Sequence, residues 1–417
     1  MESFGRKMDC KYIILVGDGM GDYPLDELGG KTPLEVARTP NMDRLMLKGR
    51  VGMAQTVPEG MEPGSDVANM SLLGYDPSVY HTGRAPLEAA SMGIHLAPLD
   101  VAFRCNLVTL ENDGTGIYRM LDYSAGHITT EEARQLIAAL QKVVASGPLH
   151  LYPGVSYRHL LVWPGGREDL ATTPPHDISG EPIAAYRKAY LSEPVLLEFI
   201  EQAAGILVDH PVNRKRVAEG KRPANAVWLW GQGKAPSMPS LKEKAGLTGA
   251  MISAVDLLKG LGVYAGLDPI AVPGATGYLD TNYAGKVDAA LKSLETGQYV
   301  YVHIEAPDEA SHEGSLAKKI EAIEAFDKNV VGPIVEGARA FSKVNLLVVT
   351  DHLTPICKRT HVADPVPFLF VEDLNHAAIQ SGTADTFCER TAEAAGWRLS
   401  SGVELFAHFV GLDSKKS

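Results

Sequence analysis

The chain has 417 residues, which is enough for two domains, and its composition of 45% hydrophobic and 22% charged residues is that of an ordinary globular protein. The net charge of −12 argues against binding to nucleic acid and gives no support to binding at a membrane surface. An anionic substrate would therefore need a basic pocket of its own.

The expected compartment follows from cysteine usage and from the lack of targeting signals. The four cysteines, at positions 10, 105, 357 and 388, have no CxxC spacing, which favours free thiols in a cytoplasmic protein. We expect neither a signal peptide nor a transmembrane helix, because residues 1–11 lack an apolar region and no 18 apolar residues run together.

The first predicted elements lead to a long loop. An apolar strand at residues 12–16 turns through a glycine-rich segment at residues 17–22. Residues 56–65, rich in proline and glycine, form a loop of a length that is usually functional or disordered in compact domains. The loop ends at Ser65, which lies near the start of a predicted helix.

The middle of the chain predicts a small α+β domain. Strands at residues 101–110 and 159–163 enclose an amphipathic helix at residues 129–144. We therefore predict an inserted domain at residues 98–189. It would interrupt a core domain made of residues 1–97 and 190–417.

After the insertion, predicted strands and helices alternate, which is typical of a mostly parallel α/β sheet flanked by helices. The predicted strands are residues 226–230, 269–272, 299–304 and 345–349. The predicted helices are residues 250–261, 286–294 and 316–339.

Polar side chains follow the ends of three predicted strands, and this pattern indicates one polynuclear metal site. The candidate ligands are three carboxylates and three imidazoles: Asp18, Asp308, His312, Asp351, His352 and His361. Oxygen and nitrogen ligands suit Mn²⁺ or Zn²⁺, whereas Mg²⁺ binds imidazole less readily. Two ions could clamp a phosphoryl group. Ser65 is the candidate nucleophile, since a helix N-terminus favours phosphate and a metal ion lowers the pKa of a hydroxyl.

Each motif alone also has a structural explanation. An Asp at a strand end is commonly a cap or turn residue, and a single His is commonly structural. Joint placement at the strand ends of one sheet favours a ligand site instead. The turn at residues 17–21 is not G-x-G-x-x-G, and no Walker lysine follows it, so a dinucleotide site is not predicted.

The motifs taken together resemble the archaeal type of 2,3-bisphosphoglycerate-independent phosphoglycerate mutase, in the alkaline phosphatase superfamily. The resemblance covers nearly the whole chain. It rests on segments that include Val16-Gly17-Asp18-Gly19, Pro63-Gly64-Ser65-Asp66, Thr82-Gly83-Arg84, Phe103-Arg104-Cys105-Asn106, His210-Pro211-Val212-Asn213, Ala306-Pro307-Asp308-Glu309 and Asp364-Pro365-Val366-Pro367.

The resemblance implies a function for the candidate residues. The core would be alkaline-phosphatase-like, and Ser65 would accept the phosphoryl group of 3-phosphoglycerate and return it to the 2-hydroxyl. Two divalent ions are implied, with Mn²⁺ the preferred candidate and Zn²⁺, Co²⁺ or Mg²⁺ as alternatives. One would be held by Asp18, Ser65, Asp351 and His352, and the other by Asp308, His312 and His361. The inserted domain would act as a lid that keeps glycerate from escaping.

Substrate binding should come from Arg84 and Arg104, because the planar guanidinium matches phosphate and carboxylate. His127 is a further candidate. Surface ion pairs for the arginines and a helix-entry role for the histidine are the structural alternatives. The expected partner is a small phosphorylated substrate, with no nucleic acid and no membrane, and the sequence leaves the oligomeric state open.

Two other functions are compatible with parts of the pattern. Asn69 and the run from Glu305 to Asp308 resemble a bacterial subgroup proposed to phosphorylate homoserine. A homoserine-kinase-like phosphotransferase or a phosphatase with the same serine and two-metal site is therefore the alternative. A metal-stabilised binding protein would have lost at least one ligand, whereas all seven positions are filled.

Overall fold

The computed structural model describes residues 10–378 and 386–412. Its strands, in chain order, are Cys10–Gly17 (β1), Arg50–Ala54 (β2), Asp100–Asn112 (β3), Tyr118–Asp122 (β4), His150–Tyr152 (β5), Arg158–Pro164 (β6), Ala226–Gly233 (β7), Gly249–Ile252 (β8), Asp268–Pro269 (β9), Tyr299–Ile304 (β10), Lys343–Val349 (β11), Val366–Val371 (β12) and Arg398–Leu399 (β13).

The α-helices, in chain order, are Pro33–Val36 (α1), Pro40–Met46 (α2), Ser65–Leu72 (α3), Pro77–Tyr80 (α4), Arg84–Ser91 (α5), Thr130–Val144 (α6), Pro194–Val208 (α7), Pro211–Ala218 (α8), Leu241–Ala245 (α9), Asp256–Tyr264 (α10), Tyr283–Ser293 (α11), Ala306–His312 (α12), Leu316–Phe326 (α13), Gly332–Gly337 (α14), Glu389–Ala394 (α15) and Gly402–Val410 (α16). None of the helices within the described ranges combines the length and the hydropathy that a membrane span requires.

The chain divides into two compact units. The core unit consists of Met1–His81 and Ser237–Ser417, and the inserted unit is Thr82–Pro236. These boundaries differ from the predicted limits of 98 and 189, because α5 and α7 pack against β7, and β7 pairs with β3.

The core unit is built on a sheet with the strand order β13-β2-β12-β11-β1-β10-β8-β9. β1 pairs in parallel with β11 on one side and with β10 on the other. β12 runs antiparallel to its neighbours β11 and β2, whereas the other described pairings in this sheet are parallel. The carboxyl ends of β11, β1 and β10 therefore lie at one edge of the sheet, where α/β proteins bind ligands.

The central strands are buried on both faces, as their continuous apolar sequences require. Every residue of β10 is buried. On one face, Ile13 and Leu15 of β1 belong to the same apolar cluster as Ile323 and Phe326 of α13. This packing fixes the strands whose ends carry the candidate ligands.

The inserted unit contains an antiparallel sheet of order β4-β3-β6-β5, with β7 also paired to β3. Phe103 and Leu107 of β3 pack with Leu136 of α6 and Phe199 of α7 in one apolar cluster. Arg104 alternates with these apolar residues along β3, so its side chain points to the opposite face of the sheet.

The predicted class, an α/β core with a mostly parallel sheet flanked by helices and a smaller α+β unit, is confirmed. Two element predictions are wrong, and one predicted strand belongs to a different sheet. The predicted helix at 250–261 starts as β8, because its first apolar residues pair with β10. The strand predicted at 226–230 is present as β7, but it lies in the antiparallel sheet of the inserted unit and not in the parallel sheet of the core. The helix predicted at 316–339 is divided by a π-helical turn, Asp327–Val331.

Candidate metal centre

The ends of three neighbouring strands supply five of the predicted ligands. Asp18 follows β1, and Asp351 and His352 follow β11. Asp308 and His312 lie on α12, directly after β10. Since β11, β1 and β10 are adjacent and parallel, these side chains meet at one edge of the sheet.

Loops and a helix start supply the other two residues. Ser65 is the first residue of α3, at the end of the long proline- and glycine-rich loop. His361 lies in the segment between β11 and β12. All seven predicted residues thus belong to the core unit.

The first group consists of Asp18, Asp351 and His352, all of which are buried. Nε2 of His352 lies 3.5 Å from a carboxylate oxygen of Asp18 and 3.5 Å from one of Asp351. The hydroxyl of Ser65 lies 3.1 Å from the same nitrogen. The structure therefore brings Ser65 to the first group.

The second group consists of Asp308, His312 and His361. Nε2 of His312 lies 3.1 Å from Oδ2 of Asp308, and Nε2 of His361 lies 3.4 Å from Oδ1. The two groups adjoin, because the rings of His352 and His361 stack with centroids 4.0 Å apart.

Contacts on the far side of two rings determine which nitrogen holds the proton. Nδ1 of His361 lies 2.8 Å from the carbonyl oxygen of Pro63, and Nδ1 of His312 lies 3.0 Å from that of Arg359. A carbonyl oxygen only accepts, so Nδ1 is the donor and each Nε2 carries a lone pair in the neutral ring. The two Nε2 atoms are 3.0 Å apart. Two facing lone pairs need a proton or a cation near both, as at a metal site.

The buried carboxylates also favour a positive charge at this site. Burial and the neighbouring Asp351 and Asp308 raise the pKa of Asp18 well above its usual range. Burial lowers the pKa of His352, which keeps that ring neutral and able to ligate a metal. Oδ1 of Asp18 is buried and has no hydrogen-bond partner among the described residues. Divalent cations on oxygen and nitrogen ligands fit these features.

One buried histidine at the site was not predicted from the sequence. His303, in β10, is fully buried, with Nε2 3.0 Å from Oδ2 of Asp18. Burial lowers its pKa to about 4, so the ring is neutral. A histidine inside an otherwise apolar strand was the signal that could have identified it.

Asn69 is a second residue whose role was not predicted. Its amide nitrogen donates to Oδ2 of Asp351 at 2.7 Å and to the carbonyl of Ser65 at 2.8 Å. The buried hydroxyl of Tyr301 donates to the amide oxygen at 2.5 Å. Asn69 lies one helical turn after Ser65, so it links the serine to a ligand of the first group.

The predicted substrate-binding residues Arg84, Arg104 and His127 lie in the inserted unit. Arg104 pairs with Glu88 at 2.9 Å, and its guanidinium lies 4.1 Å from the ring centroid of Trp230. Burial lowers the pKa of Arg104, with the positive charge of Arg84 acting in the same direction and Glu88 opposing. Arg84 and Arg104 lie near each other, because a Cβ on Gly231 would be 3.8 Å from Cβ of Arg84 and 3.5 Å from Cδ of Arg104.

The imidazole of His127 packs edge-on against Tyr157, with ring centroids 6.1 Å apart. His127 itself has a left-handed backbone, with φ of 48°.

The fold and the ligand groups define an α/β protein with a candidate site for divalent metals beside a serine. The chain belongs to the 2,3-bisphosphoglycerate-independent phosphoglycerate mutase family. The model of that family matches residues 47–213. A probable 2,3-bisphosphoglycerate-independent phosphoglycerate mutase from Geobacter sulfurreducens is 53% identical over 95% of this chain and 98% of its own length. The resemblance found in the motifs is confirmed.

Other proteins are similar along most of the chain. The mutase of the same name from Methanosarcina acetivorans is 55% identical over 86% of this chain and 89% of its own. A solved Pyrococcus horikoshii structure aligns with a TM-score of 0.81 at 30% identity, covering 98% of both chains. A cofactor-independent phosphoglycerate mutase from Thermoplasma acidophilum aligns with a TM-score of 0.64 at 29% identity, covering 96% of this chain and 99% of its own. The homoserine-kinase-like alternative is not favoured.

Proposed function

We propose that this protein interconverts 3-phosphoglycerate and 2-phosphoglycerate by intramolecular phosphoryl transfer through Ser65, without 2,3-bisphosphoglycerate. The observation that supports this most directly is the hydroxyl of Ser65, which lies 3.1 Å from Nε2 of His352 within the first ligand group. Similarity to mutases along nearly the whole chain supports the choice of substrate. The reaction belongs to glycolysis and gluconeogenesis, and we place it in the cytoplasm.

The seven clustered residues would hold two divalent ions. Asp18, Ser65, Asp351 and His352 form one binding set. Asp308, His312 and His361 form the other. We propose Mn²⁺ as the preferred ion, because mixed carboxylate and imidazole ligands suit it, and Zn²⁺ and Co²⁺ suit the same ligands. Bound ions would offset charge on the phosphoryl group and lower the pKa of the serine hydroxyl.

Ser65 provides the covalent step. Its Oγ forms a bond to phosphorus as the bond from phosphorus to the 3-oxygen of glycerate breaks. The 2-hydroxyl of the retained glycerate then takes the group back, so no free phosphate is released and no second substrate is consumed. Ser65 starts α3, whose first backbone N–H groups favour the negative charge of a phosphoryl group at this position.

Arg84, Arg104 and His127 are proposed to bind the phosphate and carboxylate of the substrate. Arg104 is held by Glu88 and stacked on Trp230, so its guanidinium has a fixed orientation. A local basic site is needed because the net charge of −12 opposes binding of an anion.

An enolase-coupled assay on metal-stripped protein tests the proposal, with Mn²⁺ added back and no 2,3-bisphosphoglycerate. We expect metal-dependent turnover that falls by about 10⁴-fold or more in Ser65→Ala, since loss of a nucleophile has effects of this size. Ser78→Ala, at an exposed serine near another helix start, should keep wild-type activity. Undiminished turnover by Ser65→Ala would exclude the phosphoserine route. A metal-loaded wild type that ignores 3-phosphoglycerate but phosphorylates homoserine would establish the alternative.

A further inference from the structure

The side chain of Thr354 lies between the two ligand groups. Its hydroxyl oxygen is 2.5 Å from Oδ1 of Asp308, in the second group. The same oxygen is 3.2 Å from Nδ1 of His352, in the first group. Thr354 is fully buried, so water does not compete for these contacts. One hydroxyl thus touches a candidate ligand of each ion.

The single hydroxyl proton fixes the direction of both hydrogen bonds. The hydroxyl of Thr354 donates its proton to the carboxylate oxygen Oδ1 of Asp308. A hydroxyl has a single proton, so Thr354 has no second proton to donate. The threonine oxygen must then accept from Nδ1 of His352. Nε2 of His352 is left with its lone pair facing Asp18, Asp351 and Ser65.

The surrounding backbone holds Thr354 in this position. Gly19, next to Asp18, has φ of +58°, and a Cβ there would lie 2.6 Å from the Thr354 hydroxyl and 2.5 Å from Oδ1 of Asp308. Only glycine leaves room for the Thr354–Asp308 contact. On the other side, the carbonyl of Thr354 accepts a hydrogen bond of 2.9 Å from the buried ammonium of Lys319.

We propose that Thr354 is a positioning residue that couples the two metal sites. Its hydroxyl orients His352 so that Nε2 is available to one ion, and it holds the carboxylate of Asp308 for the other. Loss of the hydroxyl therefore weakens both sites together. The inference rests on the two-metal site of the proposed function, but it concerns metal binding and not the identity of the substrate.

The test is a titration of metal-stripped protein with Mn²⁺, with no phosphoglycerate present. Thr354→Val keeps the shape of the side chain but removes the hydroxyl, whereas Thr354→Ser keeps the hydroxyl. We expect both Mn²⁺ affinities to fall by about 10- to 100-fold in the valine variant, as for other lost partners of metal ligands. The serine variant should stay within about threefold of the wild type. The visible spectrum of Co²⁺-loaded protein should change in Thr354→Val and not in Thr354→Ser.

Thr109→Val is the matched control. Thr109 is buried in the inserted unit, and its hydroxyl donates to the carbonyl of Pro223 at 2.7 Å, so this variant loses a comparable bond away from the site. The proposal is overturned if Thr354→Val binds two ions as tightly as the wild type, or if it weakens only one site. A loss of about 10-fold or more at both sites in the serine variant would also overturn it, and this outcome can be interpreted even if the valine variant fails to fold. Intact Mn²⁺ binding without mutase turnover would count against the proposed function alone.

Discussion

Two adjacent lysines show how burial determines the contribution of a charged residue to stability. Lys319 is fully buried, and its ammonium donates to Oδ2 of Asp22 at 2.8 Å and to the carbonyls of Gly21 and Thr354 at 3.0 and 2.9 Å. Lys318 is about half exposed and pairs with Glu313 at 2.6 Å. All three donors of Lys319 are used, and they join the segments after β1 and β11 that carry candidate ligands.

Lys319→Met should lower the free energy of unfolding by about 3–5 kcal/mol, because Asp22 would be left as a buried charge without its partner. Urea denaturation of metal-free protein measures this change. Lys318→Met is the control and should leave the midpoint unchanged, because exposed ion pairs contribute little. Equal effects of the two substitutions would show that the buried network does not stabilise the core unit.

Asn69 allows a test of positioning at the proposed nucleophile. Asn69→Ala removes the donor to Asp351 and to the Ser65 carbonyl, and we expect kcat to fall by about 10- to 100-fold with a smaller change in KM. Asn225→Ala is the matched control, because the amide of Asn225 makes two hydrogen bonds with the backbone of Leu110 in the inserted unit. A change confined to KM would place Asn69 in substrate binding instead.

The sequence predicted site residues that follow the end of a strand, but not those that lie inside a strand. Asp18 and Asp351 follow apolar strands, and this placement predicts a ligand edge. His303 lies inside a fully buried strand, where a histidine resembles a core residue. The contacts of Thr354 join segments 46 residues apart, and sequence spacing gives no information about such a pairing.

Among the elements, those with local signals were predicted best. The helix expected at 129–144 is α6, and its N-terminus has a capping box in which Thr129 accepts from the backbone of Glu132 and Glu132 accepts from that of Thr129. The segment at 250–261 was misassigned because a short apolar run fits a buried strand or a helix equally well. Only its pairing with β10 distinguishes the two.

The cap of α6 should be measurable in the stability of the protein. Thr129→Ala removes the side-chain oxygen that accepts from Glu132, and we expect a loss of about 1 kcal/mol in the free energy of unfolding. Thr129→Ser keeps the oxygen and should restore most of that loss. Chemical denaturation followed by circular dichroism measures both variants. An alanine variant as stable as the serine variant would mean that the cap contributes nothing.

For the whole molecule, the candidate ligands span residues 18 to 361 and meet only when the core unit is folded. The unfolded chain therefore has no equivalent site, and metal binding favours the folded state. The inserted unit contains none of the seven proposed metal-binding residues. The stabilisation by metal should for that reason be localised.

Metal removal tests this localisation. Mn²⁺ at 100 times its Kd should stabilise the stripped protein by about 2.7 kcal/mol per ion, seen as a rise in the thermal midpoint. Hydrogen exchange should slow in segments 17–22, 305–313 and 350–361, because these carry six of the seven proposed metal-binding residues. Exchange in residues 82–236 should stay the same.

Asp308→Asn removes the carboxylate of the second group. In this variant, Mn²⁺ should raise the thermal midpoint less than in the wild type, but it should still slow hydrogen exchange near Asp18. Equal protection along the chain would show that the inserted unit unfolds together with the core unit, and it would contradict a stabilisation localised in the core unit.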